Sequence, residues 1–192
     1  MIKVINVSKS FGDKKVLENF NAEFDSGVNC LMGDSGSGKT VLVRLTLGLL
    51  KPDSGEIRGT EGKKINCVFQ ENRLIDELSA VKNLMLVCDK TKKEEISNLL
   101  CKLGLEGNVH YPVYTLSGGM KRRVAIARAL INPADIYIFD EPFKGLDDYR
   151  KDSVAEIIKE YTKGAVTIVV THDTKDVELL GARKVKIKST RN

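Results

Sequence analysis

Residues 33–40 read Gly-Asp-Ser-Gly-Ser-Gly-Lys-Thr, directly after a short apolar run at 28–32 and directly before an apolar-periodic stretch at 40–50. A strand, a glycine loop and a helix in that order leave few folds open. The glycines let consecutive backbone N–H groups converge on anionic oxygens, and the start of the helix adds positive potential. In the pattern GxxxxGK[ST], Lys39 is placed to reach the β- and γ-phosphates of a nucleotide, and the Thr40 hydroxyl to bind Mg²⁺. Asp34 is unusual there, because an acid inside an anion nest opposes binding unless its side chain points away. Pro52 and Gly55 lie beyond the end of the helix.

The rest of the chain supplies a sheet for that loop to end on. Residues 136–139 and 166–170 are continuous apolar runs, as parallel strands covered on both faces are, and residues 65–69 are strand-like. Residues 2–31 alternate instead. Phe20, Ala22 and Phe24 share one face, Asn19, Asn21, Glu23 and Asp25 the other, and Gly12-Asp13 marks a hairpin turn. The pattern predicts helices over 40–50 and 153–161. Residues 73–115, rich in Leu, Lys and Glu and poor in Val/Ile runs, read as an inserted helical subdomain. The segment 184–188 alternates like an edge strand with outward lysines. The expected class is α/β: a P-loop NTPase core with an antiparallel β subdomain and an inserted α-helical subdomain. All 192 residues form one domain, with 1–72 and 116–192 as core and β subdomain and 73–115 as the helices. No room is expected for a C-terminal regulatory domain.

Composition narrows the setting. Hydrophobic residues make up 42 % and charged residues 30 %, as in a soluble domain. No apolar run approaches the ~20 residues that span a bilayer; the best, 42–50, is broken by Arg44. Residues 1–6 lack an apolar signal core, which points to the cytoplasm. If such a chain serves a membrane, it docks onto another that spans it. Cys30, Cys67, Cys88 and Cys101 show no metal-ligand or CxxC spacing, and Cys30 and Cys67, in apolar strand-like stretches, read as small buried hydrophobes in a reducing compartment. The net charge is +5, densest at Lys121-Arg122-Arg123 and Lys90-Thr91-Lys92-Lys93. No aromatic residues interleave with these runs, so they read as solvated helix faces and no nucleic-acid partner is expected.

Asp140 and Glu141 follow the run 136–139, at the end of a strand where α/β sheets place ligands. Asp140 suits Mg²⁺, and Glu141 suits the general base that polarises an attacking water. Pro142 stiffens the loop beyond them. Leu116-Ser117-Gly118-Gly119-Met120 is a second glycine turn, which a simple nucleotide-binding enzyme does not need. Taken alone, it is equally a serine-capped helix start. Gln70 taken alone is a polar strand terminus, and Phe11, a single aromatic, is equally readable as core.

The glycine loop at 33–40, then Gln70, then residues 116–120, then residues 136–141, in this order along the chain, resemble the nucleotide-binding subunit of an ABC transporter, and the resemblance covers nearly the whole chain. It implies that Gly33, Asp34, Ser35, Gly36, Ser37, Gly38, Lys39, Thr40 and Val41 hold ATP, with Phe11 stacked on the adenine. It implies that Ser117, Gly118 and Gly119 grip the γ-phosphate of the nucleotide held by a second subunit. Gln70 becomes the sensor of Mg²⁺ and the attacking water, His172 in Thr-His-Asp the switch contacting the γ-phosphate, and Gly145-Leu146-Asp147 the loop across the dimer interface. Metal contacts fall to Thr40, Gln70 and Asp140, and catalysis to Lys39, Gln70, Glu141 and His172. Met120 departs from the family's usual Gln, and Arg122 stands where Gln is frequent. His110 has no such context and reads as surface.

Tyr111-Pro112, with Met120-Lys121, looks most like bacterial importers of the nitrate, sulfonate and taurine group, although Gly181-Ala182-Arg183 lacks their Asp. The implied function is an ATPase that powers solute transport at the inner face of the membrane. Its partners are a transmembrane permease, docking near Arg73 and Leu74, and a second ATPase subunit in an ATP-dependent homodimer. Soluble ABC ATPases of translation or DNA repair usually carry two cassettes or a long coiled coil, and a metabolic kinase has no use for residues 116–119.

Overall fold

The computed structural model describes residues 1–89 and 91–187. Lys90 of one basic run and Lys188 of the last alternating segment lie outside the described residues.

Two sheets divide the strands by their sequence pattern. The alternating segments β1 (Ile2–Phe11) and β2 (Lys14–Phe24) pair antiparallel with β4 (Ser54–Arg58) in the order β2-β1-β4. Gly12, at φ 58°, turns the β1–β2 hairpin in a conformation that costs glycine little. The apolar runs β3 (Gly27–Met32), β5 (Ile65–Val68), β6 (Ile136–Asp140) and β7 (Val166–Val170) form the other sheet, with the alternating β8 (Arg183–Lys186) at its edge. It is wholly parallel, in the order β5-β6-β7-β3-β8.

Both faces of the sheet are buried at β6 and β7, which is why these strands are continuous apolar runs. Along β6, Ile136 and Ile138 enter a core shared with the antiparallel sheet and α1 (Lys39–Thr46), while Tyr137 and Phe139 enter a core on the other face. Each such side chain contributes roughly 1.5–3 kcal/mol. The Tyr137 hydroxyl is satisfied within its core, accepting from Ala134 N–H at 2.9 Å and donating to the Asn132 carbonyl at 3.3 Å.

Between β5 and β6 lie α2 (Ala80–Met85), α3 (Lys93–Lys102), a 3-10 turn (Val113–Thr115) and α4 (Gly118–Leu130). After β6 come α5 (Asp148–Tyr161) and α6 (Thr174–Leu180). Among the described residues no helix is long and apolar enough to cross a membrane.

Three sequence expectations need correction. The helix expected over 40–50 ends at Thr46, because Gly48 at φ 68° turns the chain and Leu49 N–H returns to the Arg44 carbonyl at 2.9 Å. The helix expected over 153–161 begins at Asp148, capped by the Asp147 side chain, which accepts from Arg150 N–H at 2.8 Å. The run Lys121-Arg122-Arg123 is not a solvated face: Arg122 is 3 % and Arg123 8 % exposed. Arg123 donates to the carbonyls of Leu103 and Gly104 at 2.5 and 2.7 Å. These lie just past α3, where carbonyls have no partner within the helix. Only Lys121 lies nearer the surface, paired with Asp76 at 3.5 Å.

Candidate active site

The carboxyl ends of β3, β6 and β7 open onto one cavity of about 1540 Å³. From β3 the chain passes through residues 33–38 into α1. Gly36 and Gly38 sit at φ 78° and 98°, where a side chain would be strained, and no side chain caps the helix. The first N–H groups of α1 are therefore left for a ligand. The Lys39 ammonium lies back over the loop and donates to the carbonyls of Gly33 and Asp34 at 2.6 and 2.9 Å. Those are bonds that phosphate oxygens can replace. Gly33 is held close: a Cβ there would come within 2.6 Å of the Ile187 side chain and 2.7 Å of Ser37 Oγ. Ser37 is buried and its hydroxyl has no protein partner. Asp34 and Thr40 are exposed, and Asp34 lines the cavity.

β6 delivers two carboxylates of different character. Asp140 is buried at the strand end, and burial first, then the neighbouring Glu141, push its carboxyl above the ordinary carboxylate range; Arg122 and Lys39 oppose this. Glu141 has left the strand at φ 55°, a conformation L-residues rarely adopt. Its N–H donates to the Val170 carbonyl at 2.9 Å. Its carboxylate accepts from His172 Nδ1 at 2.9 Å, so the two residues meet across the ends of β6 and β7. Behind His172, Thr171 donates to the buried Asp176 in a short bond and accepts from Asp173 N–H at 3.1 Å. This network fixes the turn into α6.

Gln70, Asp140, Glu141, His172, Lys39, Thr40, Val41 and Phe11 all line the cavity. Phe11 is 49 % exposed at its rim, with Lys9 5.6 Å from its ring, so it is not a core aromatic. Ser117, Gly118 and Gly119 do not line it. They lie at the start of α4, where the exposed Ser117 accepts from Met120 N–H at 3.3 Å. Gly119 packs on another loop: a Cβ there would stand 2.8 Å from the Gly145 carbonyl and 3.3 Å from the Leu146 side chain. His110 is exposed and away from the cavity.

The sequence reading missed several cations. Lys14, Lys144, Lys151, Lys184 and Lys186 also line the cavity. Lys184 and Lys186 are the lysines read as blunting an edge; β8 is that edge, and they overhang the site besides. The alternation showed their side of the strand but not what lay beneath it. The hinge after Gln70 also differs. Leu74 is half-buried against the core, whereas Ile75 is 44 % exposed. Of these two adjacent apolar side chains, Ile75 is therefore the one open to solvent.

A family model described as ABC transporter matches residues 17–144. The chain is 31 % identical over 209 residues to the ergothioneine transport ATP-binding protein of Helicobacter pylori, covering 98 % of both chains. It is 38 % identical over 196 residues to the arginine transport ATP-binding protein of Bacillus subtilis, covering 90 % of this chain and 81 % of that one. Among solved structures, a dimeric ATP-binding cassette in a post-hydrolysis state with ADP and Pi superposes with a TM-score of 0.85 at 28 % identity. That match covers 100 % of this chain and 97 % of the other.

Proposed function

The chain belongs to the ABC transporter family, and we propose that it powers movement of a solute through a membrane-spanning permease, two copies of the chain working as a pair. As an ATPase of this family it binds and hydrolyses ATP. One observation carries the pairing: the Ser117 turn, rich in backbone N–H and heading a helix, is exposed and does not line the chain's own cavity. A phosphate grip placed there serves a nucleotide held by another copy.

Within one copy, ATP lies in the cavity with its phosphates on residues 33–41 and its base against Phe11. Lys39 exchanges its two loop carbonyls for phosphate oxygens. Thr40, Gln70 and Asp140 present oxygen donors to the same cavity, the donor set a hard cation prefers, and the buried Asp140 carboxyl gains from a positive charge beside it. They fit Mg²⁺, which when bound neutralises charge shared between the β- and γ-phosphates. Glu141 accepts the proton of the attacking water, and His172 orients the Glu141 carboxylate until the γ-phosphate draws the imidazole away. Gln70, at the hinge to the helical subdomain of residues 73–115, reports the state of the site to the permease. The chain thus sits peripherally on the inner face of the membrane.

Glu141→Gln tests the reading. The variant binds ATP but loses at least about 10²-fold in turnover, the usual worth of a general base. It also accumulates as an ATP-bound dimer on size exclusion, because closure is no longer released. Hydrolysis near the wild-type rate rejects the role.

A further inference from the structure

Gln70 and Glu141 lie on different strands, yet one guanidinium reaches the peptide immediately before each. Arg122 stands in the second turn of α4 with its side chain buried. Nη1 donates to the Phe69 carbonyl at 2.6 Å and to Asn72 Oδ1 at 3.2 Å, and Nη2 makes a short bond to the Asp140 carbonyl. The Asp140–Glu141 peptide is thereby held at both ends, its oxygen by Arg122 and its N–H by the Val170 carbonyl. That peptide determines the φ of 55° from which the Glu141 carboxylate projects. Such a conformation persists only where the surroundings over-determine it. Here they do so through a cation that burial disfavours and that Asp140 and Glu141 help to keep charged.

We infer that Arg122 is a positioning residue for hydrolysis, fixing the backbone of Gln70 and Glu141 with one planar fork carried on the helix that opens at Ser117. The inference rests on the roles proposed above for Gln70 and Glu141. Lysine's ammonium is a compact point charge without the planar fork that fixes two carbonyls on different strands in one geometry, and glutamine has one short amide. Arg122 reaches no residue of the phosphate loop, so its removal leaves nucleotide affinity intact while loosening the groups around the attacking water. A contact realised only in the transition state shows as a loss of kcat without a rise in KM.

The test uses R122Q and R122K in the full chain, with E141Q alongside, measuring kcat and KM for ATP and the melting temperature. Folded R122Q loses about 10²-fold in kcat, as misplacement of reacting groups costs. Its KM stays within about threefold, and R122K recovers part of the rate. If R122Q is folded and turns over near the wild-type rate, or if KM rises in step with the loss of kcat, the inference is wrong. If neither variant folds, Arg122 is a structural residue only and the inference is equally overturned. E141Q separates the two levels: E141Q inactive with R122Q active sinks the Arg122 proposal alone, and an active E141Q sinks the reading beneath it.

Discussion

Asn83 offers a sharp check on how the segment after Gln70 is held. It lies in α2 with no exposed surface. Its Oδ1 accepts from Ile75 N–H at 2.9 Å, and its Nδ2 faces the carbonyls of Ile75, Leu78 and Ser79 at 3.0, 3.3 and 3.1 Å. These bonds are not equal. The Leu78 carbonyl keeps Val113 N–H, the Ile75 carbonyl keeps Leu78 N–H, and the Ser79 carbonyl keeps its helical bond from Asn83 N–H. Only Ile75 N–H has no second partner. Asn83→Ala therefore costs the larger penalty once, about 1–3 kcal/mol for an unmet donor, and about 1 kcal/mol for the shared carbonyls. The sum is about 2–4 kcal/mol, or a fall in Tm of roughly 5–12 °C for a chain of this size. Asn83→Asp keeps the acceptor for Ile75 N–H and nearly the same shape, but sets a buried charge against three carbonyl oxygens. It should be worse than alanine, beyond about 4 kcal/mol. Thermal unfolding of both variants at neutral pH decides. If the aspartate variant melts at or above the alanine variant, the amide is not oriented as described and the reasoning fails.

Three further outcomes are expected. The isolated chain runs as a monomer without nucleotide and shifts towards dimer with ATP by mass action; a tight nucleotide-free dimer, unchanged by ATP on light scattering, contradicts this. Ile75→Asp, which puts a charge on the exposed apolar side chain of the hinge, leaves basal hydrolysis intact but abolishes stimulation by the permease and transport in reconstituted vesicles; full transport removes Ile75 from the contact. Asp176→Asn stabilises the nucleotide-free chain at neutral pH, since burial, with Asp173 adding to it, raises the Asp176 carboxyl above its ordinary 3.8 despite the Thr171 bond. The folded state then holds its proton more tightly than the unfolded chain, so this group's contribution falls as pH rises from the ordinary to the raised value. The gain from the asparagine is largest at neutral pH and shrinks as pH falls through that window; a gain that grows on acidification contradicts it.

The parallel strands were legible because burial on both faces leaves a run that little else produces, and β1 and β2 because one-sided burial leaves alternation. Lys39, Gln70, Asp140, Glu141 and His172 could each be named from motif and position, and the structure sets them around one cavity. What stayed hidden was decided by tertiary contacts. The polar start of α5 has no apolar period to read, only the Asp147 cap. Arg122 and Arg123 look like surface charge until the carbonyls they satisfy, far away in sequence, are known. The same holds for Leu74 and Ile75, adjacent apolar residues of which one is packed and the other is not. Nothing local distinguishes them.

The close fit of Gly119 against the Gly145 carbonyl joins two segments that the sequence keeps apart. The turn at 117–119 faces outward at the head of α4, and the loop at 145–147 leads back through Phe143 and Pro142 to Glu141. Leu146 N–H bonds the Phe143 carbonyl at 3.1 Å, and Phe143 is buried, so this loop has little slack. Under the proposed pairing, a nucleotide drawn onto the turn by a second copy presses on the connection to this copy's Glu141. Arg122, one turn further along the same helix, holds the peptide on the other side of that base. Both routes start from α4 and end at Glu141, one through packing and one through hydrogen bonds. A helix so connected transmits displacement rather than absorbing it, because close-packed interiors have no voids in which a shift can dissipate. If two copies pair as proposed, occupancy of one site is thereby felt at the Glu141 carboxylate of the other.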